Sequence, residues 1–434
     1  FLFLHFMKFA QLIDELNTNA NMQIHITGSD TRAYGVSLPS SKSICNRALI
    51  IHALAHGTTP LHRLSDCDDT QAMVHALQSQ EETVDIGAAG TAMRFLTAYY
   101  AIRQGETRIL TGTPRMQQRP IRILADALRS LGADIRYIKS EGFPPLRITG
   151  RTLETSEVSL PGNVSSQYIS ALLMIGPMLP DGLTLHLTGE LISRPYIDLT
   201  IGLMQEFGAQ VAWQTGSDAP LIRVEPQPYH PHPFTVESDW SAASYWYEIT
   251  ALCDEATVRL PGLRADSLQG DSAVASLFEK LGVRTHYTDE GVLLEKCPRA
   301  ISRMDYDFTD QPDLAQTFVV ACALLDVPFR FCGLQSLKIK ETDRIAALIA
   351  EMRKLGYVLQ EESDHAALVW DGTRVTADSH PVIRTYDDHR MALAFAPASL
   401  RINSLHISDP HVVSKSYPHY WDDLSQAGFN CIQS

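Results

Sequence analysis

The feature that most limits the fold is a rhythm: amphipathic segments closing on a Leu-Gly or Phe-Gly step recur at intervals of about 75 residues. Ala-Leu-Arg-Ser-Leu131-Gly132, Leu-Met-Gln-Glu-Phe207-Gly208, Leu-Phe-Glu-Lys-Leu281-Gly282 and Glu-Met-Arg-Lys-Leu355-Gly356 form the series. Ser425-Gln426-Ala427-Gly428 continues it, and Ala76-Leu77-Gln78-Ser79 begins it on a shortened unit. The closing glycine of the other five fits a helix C-cap, and the β-prone residues after it fit a strand. A repeat this long is a supersecondary module with a buried helix, an outer helix and several strands. Six such units divide naturally into three in each of two domains, and 434 residues are too many for one ordinary core.

Between those segments lie helices that are apolar nearly all round: Ile44 to Ala55, Ala92 to Ile102, Tyr168 to Met178, Ala242 to Cys253, Leu314 to Leu325 and Met391 to Leu400. Such helices belong inside a domain. Each follows a short polar turn: Ser41-Lys42-Ser43, Gly87 to Thr91, Ser165-Ser166-Gln167, Ser238-Asp239-Trp240-Ser241, Gln311-Pro312-Asp313 and Asp387-Asp388-His389-Arg390. Helix starts offer unpaired N–H groups and partial positive charge, so hydroxyl and glycine residues there favour phosphate or carboxylate. The chain is built to hold a highly charged anion.

A net charge of −14 argues against nucleic acid and an anionic membrane surface as partners, so any anion site is a local cationic pocket. Seven scattered cysteines without a C-x-x-C pair point to free thiols in a reducing, cytoplasmic setting rather than to disulfides or zinc. Phe1 to Ala10 are apolar but too short to span a bilayer, and they lack a basic leader. Residues 1–21 are therefore expected to be an N-terminal extension, with Met22-Gln-Ile-His-Ile starting the first strand.

Six further strings, in order, carry a resemblance over nearly the whole chain: Leu38-Pro-Ser-Ser-Lys42-Ser43-Ile-Cys-Asn46-Arg47, Gly90-Thr-Ala-Met-Arg94, Leu110-Thr-Gly112-Thr-Pro-Arg115-Met-Gln-Gln-Arg119-Pro, Ser165-Ser166-Gln167, Lys340-Glu341-Thr342-Asp343-Arg344 and Tyr386-Asp-Asp388-His389-Arg390-Met-Ala. The set resembles the EPSP synthase family. The resemblance implies an α/β fold of two similar domains, each an inside-out α/β barrel of three repeated units with buried parallel helices. It implies a C-terminal lobe of residues 22–38 plus 239–434, an N-terminal lobe of residues 39–238, and helix starts of both lobes facing a shared cleft that closes on substrate. The implied reaction moves the enolpyruvyl group of phosphoenolpyruvate to the 5-hydroxyl of shikimate 3-phosphate and releases phosphate, without cofactor or metal, in a cytoplasmic monomer.

By resemblance, Lys42, Gly90, Arg119, Gln167, Arg344, His389, Arg390 and Lys415 bind phosphoenolpyruvate. Arginine suits its planar carboxylate and phosphate because the guanidinium fork binds two oxygens at once. Shikimate 3-phosphate falls to Lys42, Ser43, Arg47, Ser165, Ser166, Gln167, Ser193, Tyr196, Asp313, Ser336 and Lys340. Asp313 is the expected base for the hydroxyl, Glu341 the partner for proton traffic at the methylene carbon, and Lys42 the stabiliser of departing phosphate. On sequence alone Asp313 reads equally as an N-cap after Pro312, and Glu341 as an acidic residue of a first helical turn. Asp66, Asp68, Asp69, Asp387 and Asp388 are expected to be capping or structural rather than magnesium ligands.

The chain departs from the family pattern at Ala88 and Ser336, where asparagine is common, at Phe95, where proline is usual, and in a shortened stretch between Asp69 and Ile86. Two alternatives stay open. One is the sister enolpyruvyl transferase acting on UDP-N-acetylglucosamine, whose Lys-Asn pair is here Lys42-Ser43; the other is a ligand-binding homologue that has lost catalysis.

Overall fold

The computed structural model describes residues 23–27, 33–214, 220–362 and 367–433. The expected extension, residues 1–21, and Met22 lie outside them. The chain divides into two compact units. One comprises the described residues of Phe1–Leu38, Asp239–Ala265 and Asp271–Ser434; the other comprises those of Pro39–Ser238 and Asp266–Gly270. The short stretch Asp266–Gly270 thus joins the second unit rather than the lobe expected for it. There Ser267 Oγ and Gln269 Nε2 donate to Glu237 Oε2 at 2.7 and 2.9 Å.

Among the described residues, five four-stranded sheets follow one plan. In the plainest case Thr83–Asp85 and Thr107–Thr111 run parallel, joined by the helix Gly90–Ala101. The outer helix Arg122–Ser130 then leads into Asp134–Tyr137 and Leu146–Thr149, which complete the sheet antiparallel. A parallel pair needs a crossover, and here the crossover is the buried helix itself. Glu157–Pro161 with Leu183–Thr188 and Met304–Asp307 with Phe329–Cys332 repeat the arrangement around the helices Ser166–Ile175 and Ala315–Leu324. The glycines that set the sequence rhythm, Gly132, Gly208, Gly282, Gly356 and Gly428, all take positive φ, as a left-handed cap after an outer helix requires.

Two units are completed by distant chain. Ala33–Gly35 lies parallel to Thr257–Pro261, with the other domain inserted between them in sequence. Gln23–Thr27 sits between Leu405–Ser408 and Asn430–Gln433, antiparallel to both. The shortened unit is reduced to Leu61–His62 paired with Phe234–Thr235, because only a few residues separate the outer helix Asp68–Gln78 from the next strand at Thr83.

Helices lie inside and sheets outside. Every residue of Gly90–Ala101, Ala315–Leu324 and His389–Phe395 is buried, whereas Glu157–Pro161 alternates exposed and buried positions like a sheet with one wet face. In one unit Lys42–Leu54, Gly90–Ala101 and Ser166–Ile175 pack on one another. In the other, Ala315–Leu324 packs between Trp240–Leu252 and His389–Phe395. Each unit has its own apolar core, around Leu96 and Leu172 in one and around Trp246 and Phe318 in the other.

Most inner helices begin about two residues before their apolar runs, so that Lys42, Gly90, Ser166, Trp240 and His389 are themselves first-turn residues. That shift places the polar turns within reach of the free N–H groups.

Candidate active site

In the unit that contains Gly90, the helix starts are tied together by polar side chains one turn inside. Arg47, buried at 2 % exposure, donates through Nε to Thr200 Oγ1 at 2.7 Å and through Nη2 to Ser170 Oγ at 3.1 Å. It also reaches the carbonyls of Ser43 at 2.9 Å and Tyr196 at 3.3 Å. Burial pushes its pKa down to about 10, against the opposing influence of Tyr196. Its guanidinium carbon lies 5.3 Å from the Phe95 ring centroid, so the unusual phenylalanine packs on a predicted site residue.

Gln167 Nε2 donates to Thr91 Oγ1 at 3.1 Å, linking two helix starts. Ser165 caps its helix by accepting from the Gln167 N–H at 3.4 Å, and Ser166 is buried behind it. Ser193 opens the outer helix Arg194–Glu206 with φ +54°, a costly conformation for a residue with a side chain. A Cβ on Gly90 would lie 2.7 Å from Arg119 Nη1, so the arginine rests directly against the helix start. Lys42 Nζ stands 3.4 Å from Asp69 Oδ2. A cavity of about 450 Å³ elsewhere in this unit is lined by Leu54, Ile102, Arg103 and Met178 and shares no residue with these helix starts.

The other unit gathers charge far more densely. Asp313 Oδ1 accepts from Arg344 Nη1 at 3.1 Å and lies 3.6 Å from Lys340 Nζ; its Oδ2 lies 3.0 Å from Arg390 Nη2. Glu341 receives Arg344 Nη2 at 3.1 Å on one oxygen and Lys415 Nζ at 2.6 Å on the other. Asp388 caps its helix through the Arg390 N–H at 2.9 Å and holds Arg344 Nε at 2.6 Å. Neither sequence alternative for the carboxylates describes this arrangement. Asp313 lies in a 3-10 turn, Pro312–Leu314, with its carboxylate turned to cations, and Glu341 precedes a helix that starts at Arg344 with Asp343 as its cap.

Burial opposes the charge on Arg344, but Asp388, Glu341 and Asp313 outweigh it and raise its pKa. Asp313 supports the charge on Lys340, yet burial, Arg344 and Arg390 bring its pKa below the ordinary lysine value. His389 is buried with Nδ1 3.7 Å from Asp388. Just before it, Tyr386 and Asp387 both take positive φ, local strain that turns the chain into this helix start. Ser336 lies on the 3-10 segment Gln335–Ile339, and its buried Oγ makes no hydrogen bond with a described residue.

The model of the family EPSP synthase (3-phosphoshikimate 1-carboxyvinyltransferase) matches residues 27–82 and 78–424. The chain is 62% identical over 394 residues to the 3-phosphoshikimate 1-carboxyvinyltransferase of Bacteroides fragilis, covering 91% of this chain and 95% of that protein. This chain belongs to the EPSP synthase family. A relative of the same name from Photobacterium damsela subsp. piscicida is 38% identical over 418 residues, covering 90% of this chain and 96% of that one. The fold is shared with the solved EPSP synthase from Acinetobacter baumannii, at TM-score 0.75, 19% identity and coverage of 95% and 100% of the two chains. It is shared also with the enolpyruvyl transferase NikO from Streptomyces tendae, at TM-score 0.71, 15% identity and coverage of 96% and 99%.

In this member of the EPSP synthase family the structure adds polar partnerships that the motif strings did not reveal. Ser170 and Thr200 fasten Arg47; Tyr245 receives Arg390 Nη1 at 3.3 Å; Asp388 fixes Arg344. Their shared signal is a polar residue inside an otherwise apolar helix or at its cap, which sequence alone does not separate from ordinary capping.

Proposed function

We propose that this chain transfers the enolpyruvyl group of phosphoenolpyruvate to the 5-hydroxyl of shikimate 3-phosphate, giving 5-enolpyruvylshikimate 3-phosphate and phosphate in aromatic amino acid biosynthesis. The observation that carries this reading is the network in which Lys340, Arg344, Arg390 and Lys415 surround Asp313 and Glu341. It supplies cations for anionic substrates and, between them, two carboxylates for proton transfer.

In this reading Arg344, Arg390 and Lys415, with His389 beside them, take the carboxylate and phosphate of phosphoenolpyruvate, as do Lys42, Arg119, Gly90 and Gln167 from their own unit. Ser43, Arg47, Ser165, Ser166, Gln167, Ser193 and Tyr196 read shikimate 3-phosphate, together with Lys42, Asp313, Ser336 and Lys340. Asp313 accepts the hydroxyl proton as the oxygen attacks the phosphate-bearing carbon of phosphoenolpyruvate, and Glu341 delivers a proton to the methylene carbon. An anionic ligand that draws Lys415 and Arg344 towards itself leaves Glu341 better able to carry that proton. The demands reverse as phosphate leaves, with Lys42 meeting its charge.

A cytoplasmic monomer acting on these two small molecules, with no nucleic-acid or membrane partner and no cofactor, completes the proposal. Among the described residues no helix is long and apolar enough to cross a membrane. The test is phosphate release from phosphoenolpyruvate, which is expected only when shikimate 3-phosphate is present. Turnover of UDP-N-acetylglucosamine in its place, or none with the shikimate pair, overturns the reading.

A further inference from the structure

Arg390 is held on several sides. Its Nη1 donates to the Asp313 carbonyl at 3.2 Å and to Tyr245 Oη at 3.3 Å, while Nη2 faces Asp313 Oδ2 at 3.0 Å and Ser241 Oγ at 3.4 Å. The last contact, to Ser241, depends on Asp271, a residue outside every motif considered so far. Ser241 Oγ donates to Asp271 Oδ2. Asp271 lies on the 3-10 segment Gly270–Ala273 and is buried at 5 % exposure. A serine hydroxyl has one proton and two lone pairs. An ionised Asp271 accepts only, so it takes that proton and leaves the lone pairs of Ser241 turned to Arg390.

We propose that Asp271 is a positioning residue that acts through the Ser241 hydroxyl to hold the Arg390 guanidinium against Asp313. The inference rests on the functional reading only in giving Arg390 and Asp313 their substrates; the geometry stands without it. A protonated Asp271 donates instead, turns the Ser241 proton towards Arg390 and weakens the contact. Among the groups acting on Asp271, Asp313 and Asp239 disfavour its ionisation, and Arg390 and the Ser241 hydrogen bond favour it. Burial is the largest influence, and together they push the carboxyl up to about 6. The chain therefore keeps an ionised carboxylate at neutral pH in a place that resists it, and Asp271→Asn is expected to lose function without losing stability.

The experiment compares wild type, Ser241→Ala, Asp271→Asn and the double variant in turnover of phosphoenolpyruvate with shikimate 3-phosphate, in thermal melting at pH 8, and in the ¹⁵N-arginine NMR signals of Arg390 assigned with Arg390→Lys. Each single variant is expected to lower kcat/KM for phosphoenolpyruvate about tenfold, with the double variant no worse than the weaker single, because both remove one linkage. Asp271→Asn should melt no lower than wild type, and the restricted Nη signals of wild-type Arg390 should average in all three variants. Wild-type kcat/KM in either single variant, losses that multiply in the double, or Nη signals unchanged by Asp271→Asn would each overturn the proposal. A wild type that does not turn over while its Arg390 signals respond as expected overturns the functional reading and upholds the positioning role.

Discussion

Arg344 Nε meets Asp388 Oδ2 at 2.6 Å with both side chains almost wholly enclosed, at 2 % and 0 % exposure. Asp388 also caps the helix that carries Arg390, so a single carboxylate places two of the proposed phosphoenolpyruvate ligands. Removing one member of a buried pair leaves an uncompensated charge, typically at a cost of about 3–5 kcal/mol. Asp388→Ala is expected to destabilise the fold by about that much in urea denaturation. A loss below about 1 kcal/mol would show that Arg344 finds other support.

The carboxylates proposed for proton transfer should separate chemistry from binding. Asp313→Asn and Glu341→Gln keep the shape of each group while removing its base or acid function, and each is expected to lower kcat about 100-fold or more. Calorimetric affinities for both substrates should change far less. Equal losses in affinity and in turnover would make both residues ligands rather than proton carriers.

Gly90 leaves room for Arg119. A methyl group at Gly90 would sit 2.7 Å from Nη1, but that atom is the far end of a flexible side chain, so the arginine can move and the fold need not. Gly90→Ala is expected to raise KM for phosphoenolpyruvate about tenfold, a loss of about 1.4 kcal/mol, with melting nearly unchanged. Steady-state kinetics and a melting curve check both parts.

Phe95 stacks under a buried cation, with the Arg47 guanidinium carbon 5.3 Å from its ring centroid. Phe95→Leu keeps the site apolar but removes the ring, and is expected to cost about 2 kcal/mol of stability. Chemical denaturation of the variant provides the check; a neutral result would assign the support of Arg47 wholly to Thr200, Ser170 and the two backbone carbonyls.

Asp271 gives a stability signal of definite sign. Its folded pKa of about 6 lies above the ordinary aspartate value of 3.8, so between those values the native state binds more protons than the unfolded chain. The contribution of this group is therefore full at low pH and is lost as pH rises through about 6. Relative to wild type, Asp271→Asn should gain stability progressively from about pH 4 to pH 6, levelling at about 3 kcal/mol above that. Urea denaturation across that range measures it, and a difference independent of pH would remove the assigned shift.

Much of the fold was legible because its signals are local. The apolar run after Ser165-Ser166-Gln167 and the glycine after Phe207 each report on a few neighbouring residues, and the helix Ser166–Ile175 and the positive φ of Gly208 answer them. Boundaries were less legible: the run at Ala92 did not show that the helix begins at Gly90, since a polar turn and a first helical turn have the same composition. Among proposed site residues, the string Lys340 to Arg344 marked out Glu341 and Arg344, but not that Glu341 bonds Lys415 or that Asp388 secures Arg344.

From its sequence alone this chain determined a rhythm of buried helix, strand, outer helix and strands, and the cations and carboxylates gathered near its helix starts, because these follow from periodicity over a turn or two of chain. Only the tertiary structure decided which of those charges meet. Glu341 and Lys415, Asp313 and Arg390, and Asp271 and Ser241 are brought together by chain that returns from far along the sequence. Ion pairing acts through space with no period along the chain, so a partner's identity is written in the packing of sheets and helices rather than in the string that carries it.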